Sequence, residues 1–217
     1  MDDGNRKSKR AHWAPVAGTL AVLAFGGAAL SSIGVDGVSS ELSASTAAGE
    51  FAVDAGHSSV VFSVGYQNVA RFYGRFNEVS GTYRFDFEDP ANSEIDIAIP
   101  TASIDSNSEG RDNHLRGPDF FSAREFPTIR FVGKEFSPVD DDTMRVAGDL
   151  TLRGVTRPVS VDVDWLGQGP DFRSGTRSGF HTVLTIDRSD FGVMYGVDNG
   201  VLGDETEIII SLTGMMR

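Results

Sequence analysis

Apolar and polar residues alternate along most of the chain from position 59 onward, and this period of two limits the fold more than any other feature. Val60, Phe62, Val64 and Tyr66 share one parity, with Ser59, Ser63 and Gly65 on the other. An extended backbone sends successive side chains to opposite faces, so the segment has one apolar face. The pattern returns at Phe72, Gly74 and Phe76, and at Val79, Tyr83, Phe85 and Phe87. It continues at Ile95, Ile97 and Ile99, at Ile129 and Phe131, and at Met144, Val146, Leu150 and Leu152. Val159, Val161, Val163 and Trp165 follow, then Phe180, Leu184 and Ile186, and last Ile208, Ile210 and Leu212. About nine one-sided strands are expected on this reading.

Turn residues separate the runs at Asn77-Glu78, Asp89-Pro90, 138–142, 154–158, 167–175 and Asn199-Gly200. Short connections make sequence neighbours antiparallel neighbours in space. An open sheet of so many one-sided strands would expose its apolar face and two unpaired edges, and closure removes both. The expected fold is all-β: an antiparallel up-and-down barrel of about eight strands. Charges on the outward parity exclude lipid contact along the wall, so the barrel is expected to be soluble. One helix is expected over 107–116, with Ser106 or Ser108 as N-cap and Gly117-Pro118 ending it.

The first 50 residues read differently. A basic cluster at 6–10 precedes an uncharged run from Trp13 to Val35, and small residues follow at Ser43, Ala44, Ser45, Ala47 and Ala48. This is the layout of an export signal, either cleaved or retained as a membrane tether through residues 13–35. Residues 39–50 read as a disordered linker, leaving one domain over 51–217. An exported, periplasmic or envelope location follows.

Composition narrows the function. A net charge of -12 without clustered Lys or Arg in the body argues against nucleic-acid binding. The absence of cysteine excludes disulfides and thiolate metal sites. His57, His114 and His181 lack metal-ligand spacing, so neither metal nor cofactor is expected. No nucleophile elbow or paired-carboxylate site is recognisable, and a noncatalytic role is expected.

A barrel of this size either fills with side chains or keeps room for one ligand. Inward parity nominates Phe62, Val64, Tyr66, Phe72, Phe76, Tyr83, Phe85, Ile97, Phe131, Val146, Leu150, Val161, Phe180, Ile186 and Ile210 as lining, joined by Phe120 after the helix. Gly74, Gly81, Gly133 and Gly148 at the same parity remove bulk or merely let the sheet bend.

Ordered motifs add a resemblance. Val53-Asp54 with His57-Ser58, Gly74-Arg75-Phe76, Ser103-Ile104-Asp105 and Arg111-Asp112-Asn113-His114-Leu115 come first. Asp119-Phe120-Phe121, Phe126-Pro127, Gly148 to Thr151 with Gly154 to Pro158, and Asp187 to Gly192 complete the series. Over 51–217 the chain resembles the YceI-like family, exported lipocalin-like barrels that bind polyisoprenoid or related amphiphilic lipids. One departure is Tyr66, where the family commonly has His. The resemblance implies a tunnel for a long isoprenoid or fatty chain, with its polar end near the mouth.

For that polar end, Arg111, Asp112, His114 and Arg188 are the candidates. Arg111 offers a planar fork of donors suited to phosphate or carboxylate. The segment Asp187-Arg188-Ser189-Asp190 reads either as a salt-bridged corner or as a headgroup contact. Three functions stay open: a carrier of such lipids, an enzyme acting on them through His57 or His114, and a solid-cored interaction module. Pairing of two copies along a barrel edge is a further expectation.

Overall fold

The computed structural model describes residues 49–217. Its strands are β1 (Phe51–Val53), β2 (Ser59–Tyr66), β3 (Ala70–Phe76), β4 (Ser80–Arg84), β5 (Glu94–Pro100), β6 (Ile104–Asp105), β7 (Thr128–Pro138), β8 (Thr143–Leu152), β9 (Val155–Pro170), β10 (Thr176–Asp187) and β11 (Leu202–Met216). All pairings are antiparallel. The short β1 closes the ring, because Phe51 is paired with Tyr83 of β4 on one side and with Met216 of β11 on the other. Eight strands make the barrel, in the order β1-β4-β5-β7-β8-β9-β10-β11, and β2, β3 and β6 extend it from β11.

The expected meander holds at six hairpins and is interrupted between β1 and β2, between β3 and β4, and around β6. Asn77-Glu78 is not a hairpin turn joining β3 to β4. Phe76 instead pairs with Ile104 of β6, and the Asn77 N–H donates to the Ser103 carbonyl at 3.0 Å. Two other turns are tighter than their composition suggests. Positive φ at Arg153 (50°) and Gly154 (75°) turns the β8–β9 hairpin, and pairing resumes at Val155. Residues 167–170 belong to β9, with a bulge that leaves Leu166 unpaired.

Helix α1 spans Glu109–Leu115, inside the expected range, with Ser108 at the N-cap. Its segment bridges β6 and β7 at one end of the barrel. Asp54 fixes the other end. Its carboxylate accepts from the Gly56 N–H at 3.1 Å and from Arg177 Nη1 at 2.8 Å, and His57 Nδ1 lies 2.8 Å away. This bends the chain between β1 and β2, both of which run along β11.

The export segment and residues 39–48 of the expected linker lie outside the described residues. Glu50 belongs to the barrel, since its carbonyl accepts from the Arg217 N–H at 3.0 Å. Among the described residues, no helix is long and apolar enough to cross a membrane.

Candidate ligand tunnel

The barrel is solid at the Asp54 end and hollow toward the other. Phe51, Tyr83, Phe85, Trp165 and Phe180 interlock across the closed end, with centroids 4.9 Å apart for Tyr83 and Phe180 and 5.5 Å for Phe85 and Phe180. The Tyr83 hydroxyl lies 2.9 Å from Ser178 Oγ, and burial pushes its pKa up to about 12. Above this floor opens a cavity of about 670 Å³. That lies within the size range of small-molecule sites, roughly 300–1,000 Å³.

Aliphatic and aromatic side chains from eight strands and the mouth segments make its wall. On β10 it runs from Phe180 to Ile186, about 20 Å of strand. The exposed members, Tyr66, Ala70, Arg71, Arg111, His114 and Tyr195, all lie at the end away from Asp54. That end is therefore the mouth. Among the described residues no Asp or Glu lies on the wall.

Of the nominated lining residues, Phe62, Val64, Tyr66, Phe72, Phe76, Ile97, Phe120, Phe131, Leu150, Val161, Phe180, Ile186 and Ile210 stand on this wall. Tyr83, Phe85 and Val146 do not. They have the inward parity but sit in the solid end, 0%, 3% and 0% exposed, because parity fixes a face and not a depth along the barrel. The glycines do not hollow the barrel either. The Phe62 ring fills the place of a side chain at Gly74, and Phe131 crowds Gly148. At Gly133 the neighbours are Ile95, Phe136 and Val146.

The mouth candidates separate. Arg111 stands on the rim with its guanidinium carbon 4.4 Å from the centroid of the Phe72 ring. Its Nε donates to Ser106 Oγ at 2.9 Å and its Nη2 to the Ser106 carbonyl at 2.6 Å. His114 packs edge-on to Phe120 and Tyr195, centroids 5.1 and 5.0 Å away, with Nε2 2.9 Å from Asp119. Asp112 is not on the wall. It is buried and accepts from the Ser106 N–H at 2.7 Å, tying α1 to the segment before it.

Arg188 is buried on the wall, and the expected salt-bridged corner is absent. Its Nε, Nη1 and Nη2 donate to the carbonyls of Gly203, Val193 and Tyr195 at 2.8, 3.0 and 2.9 Å, and it forms no ion pair with Asp187 or Asp190. Desolvation holds its pKa below the ordinary arginine value. His57 and His181 lie away from the cavity, and no group of residues among those described has the makings of a metal site.

Alternation in the strands did not reveal Val193, Tyr195, Val201 and Leu202. Three of them belong to an irregular segment and Leu202 begins β11, so no strand period precedes them. Leu115 and Phe121 were missed within motifs whose neighbours were singled out, and Ala70, Arg71, Thr182 and Thr206 because small or polar side chains carry no apolar alternation.

A closed antiparallel barrel with an apolar blind tunnel defines a lipocalin-like binding protein. The chain belongs to the YceI-like family, whose YceI-like domain matches residues 51–214. Protein YceI of Escherichia coli O157:H7 is 35% identical over 161 residues, 74% of this chain and 83% of that protein. A UPF0312 protein of Pseudomonas aeruginosa is 34% identical over the same span. Among solved structures, Burkholderia cenocepacia BcnA superposes with a TM-score of 0.68 at 28% identity, covering 74% of this chain and 98% of that one. A polyisoprenoid binding domain from Saccharophagus degradans shares the fold, with a TM-score of 0.60 at 17% identity over 77% of this chain and 98% of that domain.

Proposed function

We propose that the barrel binds one long-chain amphiphile, a polyisoprenoid, isoprenoid quinone or fatty compound, without transforming it, and that it does so as an exported protein of the cell envelope. The observation that carries this reading is the apolar blind tunnel with its charged groups gathered toward the mouth. A tail inside would gain about 0.8 kcal/mol per buried methylene and need no polar partner. Its head would then lie beside Arg111 and His114, with the buried charge of Arg188 close by.

The polyisoprenoid binding of the Saccharophagus neighbour agrees with this tail class. Binding is favoured over catalysis because, among the described residues, the wall holds no carboxylate and one histidine, His114, which already faces Asp119. Native mass spectrometry of freshly purified protein, followed by solvent extraction, tests the proposal. A bound lipid of defined mass is expected, and consistently empty protein that takes up no added lipid refutes it.

A further inference from the structure

Rim residues that face solvent carry a second feature. Val69 at the tip of the β2–β3 hairpin is 82% exposed and Tyr66 beside it 42%. Met194 and Tyr195, on the segment between β10 and β11, are 44% and 47% exposed. The two segments join at the mouth, where the Gln67 N–H donates to the Val201 carbonyl at 2.9 Å. Val69 and Met194 line none of the tunnel.

We propose that this rim docks on a lipid bilayer, so that ligand passes between membrane and tunnel without crossing water; the inference rests on the tail-binding reading above. Tyrosines beside aliphatic side chains suit the interfacial zone of a membrane. Among the described residues Arg71 and Arg111, both exposed at the mouth, form no ion pair, and in a chain of net charge -12 they complement phosphate headgroups. Arg71 rests on Ser63, with Nε and Nη2 donating to Oγ at 3.0 and 2.7 Å. Of the nearby carboxylates, Glu207 accepts from the same Ser63 hydroxyl at 3.3 Å, Asp119 faces His114, and Asp198 is the single acid of the 192–201 segment.

Energetics favour this route. A tail is stabilised about equally by burial in either apolar environment, so passage from bilayer to tunnel is nearly balanced, while passage through water gives up that burial first. Because the tunnel opens at one end, the surface that meets the membrane must be this rim.

The test follows uptake of a fluorescent long-chain lipid by the full-length protein, once from vesicles of phosphatidylethanolamine and phosphatidylglycerol and once from dilute ethanol injection. Val69→Asp and Met194→Asp, alone and together, are compared with the unaltered chain. Uptake from vesicles by the double variant is expected to slow about tenfold, with equilibrium affinity after injection unchanged. Equal vesicle rates overturn the docking. A parallel loss in both deliveries overturns it too, since the rim would then act on the site itself. Self-association abolished by Val69→Asp with unchanged vesicle uptake assigns the rim to a second copy. Failure of the unaltered protein to take up lipid by either route removes the tail-binding reading, and docking with it.

Discussion

The Phe62 ring occupies the space that a side chain at position 74 would need, directly across the β2–β3 ladder. A methyl group there has to push the ring, and the free volume beside it is the tunnel. Gly74→Ala is therefore expected to cost about 1–3 kcal/mol of stability and to weaken the longest ligands most. Thermal unfolding and a chain-length series of ligands check the two effects separately.

Arg188 acts as a fastener for the mouth. Its guanidinium joins the carbonyls of Val193, Tyr195 and Gly203, so Arg188→Gln leaves buried acceptors unpaired and is expected to destabilise by about 2–4 kcal/mol. Lysine is not expected to rescue, because one ammonium does not reproduce the fork. Denaturant unfolding measures the loss, and hydrogen exchange over 193–203 shows whether it begins at the mouth.

Alkaline pH probes the closed end. Tyr83 is shifted from 10.0 to about 12 by burial, so the folded form resists its ionisation. Its contribution to stability is complete below pH 10 and is lost as pH rises toward 12. Tyr83→Phe is expected to flatten that decline while losing the bond to Ser178. Stability curves across the alkaline range decide it.

Acid acts through carboxylates held by partners. Arg177 and then His57 depress Asp54, Arg130 depresses Asp96, and Arg145 depresses Asp162, all below 3.8. A depressed carboxylate stabilises above its unfolded value and loses that contribution as pH falls through its folded one. Melting temperature is expected to hold between about pH 7 and pH 5 and to drop below 3.8. Asp142, raised by Asp140, works in the opposite sense. Asp54→Asn should lower the neutral plateau and soften the acid slope.

The barrel was legible because its strands expose one face, and a one-sided strand announces itself at every second residue. Phe62, Leu150 and Ile210 were found that way. Depth was not legible: Tyr83 and Phe131 look alike in parity, yet one belongs to the floor and the other to the wall. The glycines misled for a related reason, since the space at Gly74 is filled by a neighbour distant in sequence. Asp112 looked like a mouth group because it stands between Arg111 and the next histidine, but on a helix adjacent residues point in different directions. Nothing local marks the break between β3 and β4, which arises from the pairing of Phe76 with Ile104.

The aromatic floor gives the tunnel a fixed stop, and a blind hole with one open end is a depth gauge. Each methylene added to a tail should tighten binding about fourfold until the chain reaches Phe180, and further ones should contribute nothing or project from the mouth. Where that series breaks would measure, in carbon atoms, how far the barrel is hollow.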